Sequence, residues 1–143
     1  MQHSNRKLNM IESQLRPNNI IDENLISAFE KVDQEDFLPD SLKNLSYIDD
    51  HIKFTKNSFI LKPLIFAKFL NIIKLEFSDV ILEVGSGSGY TTSVLANLVN
   101  YVYSIEQDKD IIHGTYEEAL LTMKLIEQIY KADRLWAKKY YNS

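Results

Sequence analysis

Three glycines and two carboxylates carry the chemistry this sequence offers. Gly85, Gly87 and Gly89 alternate in L-E-V-G-S-G-S-G-Y, Glu83 stands two residues ahead of the first, and Glu106 stands seventeen residues past the last. Glycines in a turn let backbone approach a ligand with no Cβ atoms in the way. A carboxylate at the end of a following strand accepts hydrogen bonds from a pair of sugar hydroxyls. Together they describe a crevice for a ligand with a polar, flat or charged part.

The elements that position these residues are legible around them. Val80, Ile81, Leu82 and Val84 form an apolar run interrupted by Glu83, which predicts a buried strand. T-T-S-V-L-A-N-L-V, residues 91–99, predicts a helix, and Y-V-Y-S-I-E, residues 101–106, a second strand rich in aromatic and β-branched residues. A strand, helix and strand in that order imply a parallel pair with a right-handed crossover. Upstream, 7–15 reads as a short helix ended by Pro17. Asp22 reads as the N-cap of a helix whose Leu25, Ile26, Phe29 and Val32 share one face. E-D-F-L-P-D-S-L-K-N-L-S-Y reads as a loop with a short helical turn, and I-K-F-T-K-N-S-F-I-L as partly β-like. Pro63 then opens an apolar helix at the first-turn position proline tolerates.

The glycine spacing bears on the ligand. Dinucleotide folds use G-x-G-x-x-G, with the third glycine five places after the first. Here it comes four places after, and Tyr90 occupies the dinucleotide position. This favours S-adenosylmethionine, which has no pyrophosphate to cradle, over NAD. Glu106 is then the candidate acid for the ribose. Glu83 either orients the cofactor's ammonium or the turn itself, or is an acid that satisfies local backbone groups. A lone G-x-G-x-G is also an ordinary tight turn, and it is the flanking strand, helix and Glu106 that make it a cofactor signal.

Composition narrows the classes further. The 143 residues are 45% hydrophobic, which suits a globular core of ordinary domain size. With no cysteine, disulfides, thiolate metal sites and a cysteine nucleophile are excluded. His3, His51 and His113 are too scattered to suggest a metal site by spacing. Net charge of -4 argues against a nucleic-acid partner, and the basic K-A-D-R-L-W-A-K-K-Y-Y reads as a solvated helix end. No run is long and apolar enough for a membrane helix, and the first residues lack the apolar centre of a signal peptide, so a cytosolic protein is expected.

Several motifs in order resemble one family. M-x-x-x-Q-L with R-P after it, D-F-L-P, and L-E-V-G-S-G-S-G-Y, spread over Met10 to Asp108, are similar to the N-terminal part of protein-L-isoaspartate O-methyltransferases. The resemblance implies a Rossmann-like fold and methyl transfer from S-adenosylmethionine to the α-carboxylate of isoaspartyl residues in proteins or peptides, a repair reaction. It implies cofactor contacts at Gly85, Gly87, Gly89 and Glu106, and a structural role for Gln14, Arg16 and Pro17. The family's substrate loop reads I-S-x-P, and here S-F-I-L-K-P puts Leu61 at the serine and Pro63 at the proline. Leu61 offers no hydroxyl; Ser58 or Thr55 is a substitute from the same loop, or a loop cap.

The family's later strands are not found in the sequence. Residues 1–110 read as the N-terminal part of the methyltransferase-like domain. Residues 111–143 read as one amphipathic helix with Tyr116, Leu120, Met123, Ile126, Ile129, Tyr130 and Leu135 at helical spacing. It weakly resembles the closing helix of sugar-dehydrogenase-like oxidoreductases. Such a helix covers an open core or mediates self-association. The expected architecture is therefore α/β, a Rossmann-like methyltransferase fold truncated after the second parallel strand, with N-terminal helices and a long C-terminal one. An active carboxyl methyltransferase is the leading reading, and a non-catalytic remnant serving as a cofactor-binding or interaction module is the alternative.

Overall fold

The structure is a computed structural model, and it describes residues 2–56 and 58–106. The long helix expected over 111–143 lies outside these residues.

Among the described residues there are four α-helices and four strands, in the order α, α, β, β, α, β, α, β, with π and 3-10 turns between the first of them. Helix α1 (Gln2–Met10) runs directly into a single π turn, Ile11–Leu15, and a 3-10 turn over Arg16–Asn18 that contains Pro17. The expected helix over 7–15 is therefore helical throughout but widens at Ile11, which puts both Ile11 and Leu15 into the core. Helix α2 (Glu23–Lys31) begins where the cap residue predicts. The Asp22 carboxylate accepts hydrogen bonds from the backbone N–H groups of Asn24 and Leu25 at 2.9 and 3.2 Å. Two of the first turn's orphan donors are thereby satisfied.

The loop after α2 is built of two 3-10 turns, Gln34–Phe37 and Asp40–Leu45. Tyr47 locks them. Its N–H donates to Gln34 Oε1 at 2.6 Å and its hydroxyl accepts from the Gln34 N–H at 3.2 Å. Burial, with Asp33 and Glu35 nearby, raises the Tyr47 phenol well above its ordinary value. Gln14 and Arg16 act structurally. Gln14 Nε2 donates to the Tyr47 carbonyl at 2.9 Å, and Arg16 pairs with Glu12 and Glu23, each at 3.0 Å.

The partly β-like stretch is a short antiparallel hairpin, β1 (Ile52–Lys53) with β2 (Phe59–Ile60). Helix α3 (Pro63–Ile73) follows, with Pro63 in its first turn, and ends at Lys74 in the left-handed region. The core gathers Leu15, Phe29, Phe66 and Leu70 from this helical layer with Tyr90 and Val94 from beyond it. Phe29 and Phe66 meet edge to face with ring centroids 5.9 Å apart.

Strands β3 (Val80–Val84) and β4 (Tyr101–Ile105) pair in parallel in the register Val80 with Tyr101 through Val84 with Ile105. Helix α4 (Tyr90–Leu95) joins them, giving the β-α-β unit expected. The helix is shorter than 91–99: it stops at Leu95, and turns through Leu98 carry Val99 into the core. The strand expected to be buried is only half so among the described residues. Ile81 and Glu83 face α4 and the helical layer, while Val80, Leu82 and Val84 are exposed on the other face. A strand alternates its side chains, so one covering layer protects only one set.

Candidate functional site

The glycine turn leaves the carboxyl end of β3. The N–H groups of Gly85 and Ser86 both donate to the Ile105 carbonyl, at 2.7 and 3.3 Å, so the two strands end together. The chain then passes through positive φ at Gly85 (84°), Gly87 (54°) and Gly89 (87°) and starts α4 at Tyr90. Among the described residues, a Cβ added to Gly85 would meet nothing within 4 Å, and one at Gly89 would approach Phe37 at 3.8 Å. Backbone conformation therefore requires glycine here, and crowding by the protein does not. An L-residue in the left-handed region costs about 1–2 kcal/mol. The open space beyond Gly85 is what a ligand lying on bare backbone needs.

Two aromatic rings underlie the turn. Phe54 of the hairpin lies 3.5 Å from the Cβ position of Gly87, and Phe37 lies edge to face with Tyr90 at 5.9 Å. Sequence reasoning missed both as site residues; the only signal was the D-F-L-P motif that contains Phe37. Tyr90 is fully buried, and its hydroxyl has no hydrogen-bond partner among the described residues. Burial, more than the nearby Tyr47 and Asp33, holds its phenol far above the ordinary value, so it is a neutral wall.

The two acids have different surroundings. Glu83 faces inward, and its carboxylate accepts hydrogen bonds from the hydroxyls of Thr91, Thr92 and Ser104. It ties β3 to the first turn of α4 and to β4 through side-chain hydroxyls. Thr91, Thr92 and Ser104 were not singled out, because nothing in their spacing announces a shared acid. Glu106 sits just past β4, and its Oε2 accepts the Gly87 N–H at 2.6 Å. The acid is thus drawn over the glycine turn, at the lip of the same crevice.

The loop aligned with the family's substrate segment reaches this turn. Phe59, Ile60 and Leu61 line a cavity of about 60 Å³ together with Gly85, Ser86, Ser88, Tyr90 and Thr91. Such a volume is far below the roughly 300 Å³ at which ligand pockets begin, so the described residues form a cradle, with no enclosure. Leu61 is partly buried against the core, and Pro63 is buried in the first turn of α3. Ser58 closes the hairpin: its carbonyl accepts from the Phe54 and Thr55 N–H groups, and its own N–H donates to Thr55 Oγ1 at 3.0 Å. Among the described residues no group of three His, Asp or Glu side chains could hold a metal ion, and no helix is long and apolar enough to cross a membrane.

Known proteins share sequence and fold with this chain. The model of the Protein-L-isoaspartate(D-aspartate) O-methyltransferase (PCMT) family matches residues 5–128. The chain belongs to this family. A protein-L-isoaspartate O-methyltransferase of Petrotoga mobilis is 37% identical over 132 residues, covering 91% of this chain and 62% of the relative. Those of Aliivibrio salmonicida and Proteus mirabilis are 33% and 36% identical, over 52% and 50% of their own lengths. The chain thus spans between half and about three fifths of these relatives. Among solved structures, a protein-L-isoaspartate O-methyltransferase superposes with a TM-score of 0.63 at 23% identity, over 85% of this chain and 39% of that one. A Plasmodium falciparum beta-aspartate methyltransferase (PCMT), solved in complex with S-adenosyl-L-homocysteine, gives 0.58 at 24% identity, over 96% and 58%. The fold is that of the Rossmann-like methyltransferases.

Proposed function

We propose that this chain carries the cofactor half of a protein-L-isoaspartate O-methyltransferase, binding S-adenosylmethionine on the glycine turn. The observation that carries this is the Glu106 carboxylate held over the turn by the Gly87 N–H, where the acid of nucleoside-binding folds receives the ribose. In this reading Gly85, Gly87 and Gly89 offer bare backbone to the cofactor and Glu106 accepts from its ribose hydroxyls. Glu83 serves the site at one remove, by fixing the helix that follows the turn. When bound, the cofactor supplies a sulfonium-activated methyl group, so a carboxylate acceptor needs no strong base. What remains for the protein is to align the two reactants and exclude water.

The acceptor in this reading is the α-carboxylate of an isoaspartyl residue in a protein or peptide. The hairpin loop carrying Ser58 and Leu61, continued by Pro63, is the segment that would face it. Methyl transfer to an isoaspartyl peptide tests the reading. Incorporation of labelled methyl into that peptide and not into its aspartyl counterpart is the expected result. No incorporation, from folded protein that binds S-adenosylhomocysteine, would leave the cofactor half standing and remove the acceptor.

A further inference from the structure

The small cavity where the hairpin loop meets the glycine turn has two unlike walls. Phe59, Ile60 and Leu61 form an apolar wall with no side-chain donor, and the turn with the start of α4 forms the other. Among the described residues no charged side chain lines it. Its hydroxyls are committed unequally. Thr91 gives its hydroxyl to the Glu83 carboxylate. The Tyr90 phenol has no partner, but the groups acting on it are Tyr47 and Asp33, away from the hairpin. The Ser88 Oγ is buried, and it too has no hydrogen-bond partner among the described residues. A buried hydroxyl left unpaired is costly, so a ligand group that takes its hydrogen bond recovers that cost on binding.

We infer that Ser88 binds the methyl acceptor, its hydroxyl holding one oxygen of the acceptor carboxylate in this cavity. The inference rests on the methyltransferase reading above. The cavity's volume of about 60 Å³ has room for one small polar group, given that a water takes about 30 Å³ of liquid. Gly85 borders this cavity and also the open space that the cofactor takes in that reading, so a carboxylate seated here stands beside the methyl donor. A single neutral donor suits a weak nucleophile. A serine hydroxyl has one proton to give, so it fixes one carboxylate oxygen and leaves the other free. The free oxygen forms its bond to the methyl carbon as the carbon–sulfur bond breaks, and that electron pair stays on sulfur. The charges of carboxylate and sulfonium vanish together, and no proton moves.

The test is a titration of the full chain, saturated with S-adenosylhomocysteine, with two short peptides. One carries an isoaspartyl residue with its α-carboxylate free, and the other is identical but for an α-carboxamide. The unaltered chain should prefer the carboxylate by at least about tenfold, because hydrogen bonds to a charged acceptor are the stronger ones. Ser88→Ala should shrink that preference to below about threefold and leave the affinity for S-adenosylhomocysteine within about twofold. A merely structural role would weaken both peptides alike. An unchanged preference in Ser88→Ala would overturn the inference alone, as would a preference lost in Ser86→Ala instead, on the other serine lining the cavity. Weakened S-adenosylhomocysteine binding with the peptide preference intact would overturn it in favour of the cofactor's own carboxylate. No binding of either peptide by the unaltered chain would overturn it together with the acceptor reading. Ser88→Cys, close in size and a much weaker donor, replaces Ser88→Ala if that variant does not fold.

Discussion

Phe29 of α2 and Phe66 of α3 meet edge to face with both side chains buried, whereas Val80, Leu82 and Val84 of β3 stand exposed along one face. The helical layer buries Leu25, Ile26 and Phe29 of α2 and Leu64, Phe66, Ala67 and Leu70 of α3, while Phe69, Ile72 and Ile73 at the end of α3 stand exposed. The strand pair has packed one side only, and that side carries the polar network of Glu83. The difference separates support from chemistry. The helical layer is a platform that holds the glycine turn from below, and the strand pair is a site whose inner face is ordered and whose outer face is exposed among the described residues.

The comparison can be broken first at the platform. Phe29→Ala should cost about 3–5 kcal/mol, since a fully buried ring leaves a cavity beneath α3. Urea denaturation measures this, and a loss under 1 kcal/mol would mean that the platform is not the stable part. A smaller effect is expected at the inner face of the strands. Glu83→Ala removes the acceptor shared by Thr91, Thr92 and Ser104 and should cost about 2 kcal/mol, in line with hydrogen bonds to a charged group. The same denaturation reads it, and no loss would show that the network does not fasten β3 to α4.

The smallest effect at neutral pH is expected at Tyr90. Its hydroxyl is buried and donates to no group among the described residues, so Tyr90→Phe should stabilise the fold, by about 1 kcal/mol. Alkaline pH sharpens the test. The phenols of Tyr47 and Tyr90 are held neutral in the fold, above the ordinary value of 10.0. Above pH 10 the unfolded chain therefore releases protons that the folded chain keeps, and stability falls as pH rises. Tyr90→Phe should lessen that fall, which thermal melts from pH 8 to 11 would detect; an unchanged slope would contradict the burial assigned to Tyr90.

Much of this was legible in the sequence, for local reasons. Asp22 caps its helix through its own side chain, Pro63 starts one by fixing its own φ, and the β-α-β order follows from apolar runs long enough to show a period. The hairpin was not resolved as one, because strands of two residues have no period to read. The π turn at Ile11–Leu15 has no residue that announces it. Within the site, the glycines and Glu106 stood out because their spacing along the chain is the signal. Thr91, Thr92 and Ser104 did not, since the acid they share brings them together only across a strand and a helix. The half exposure of β3 was hidden as well: an apolar run says that a face wants cover, and says nothing of what covers it.

The proposed function stands on binding of S-adenosylmethionine by the glycine turn with Glu106. A calorimetric titration with S-adenosylhomocysteine, with NAD as the control ligand, tests it most directly. Micromolar binding that weakens at least tenfold in Glu106→Ala, about 1.4 kcal/mol, and no heat with NAD, is the predicted result. No heat with S-adenosylhomocysteine from folded protein, or binding indifferent to Glu106→Ala, would contradict it.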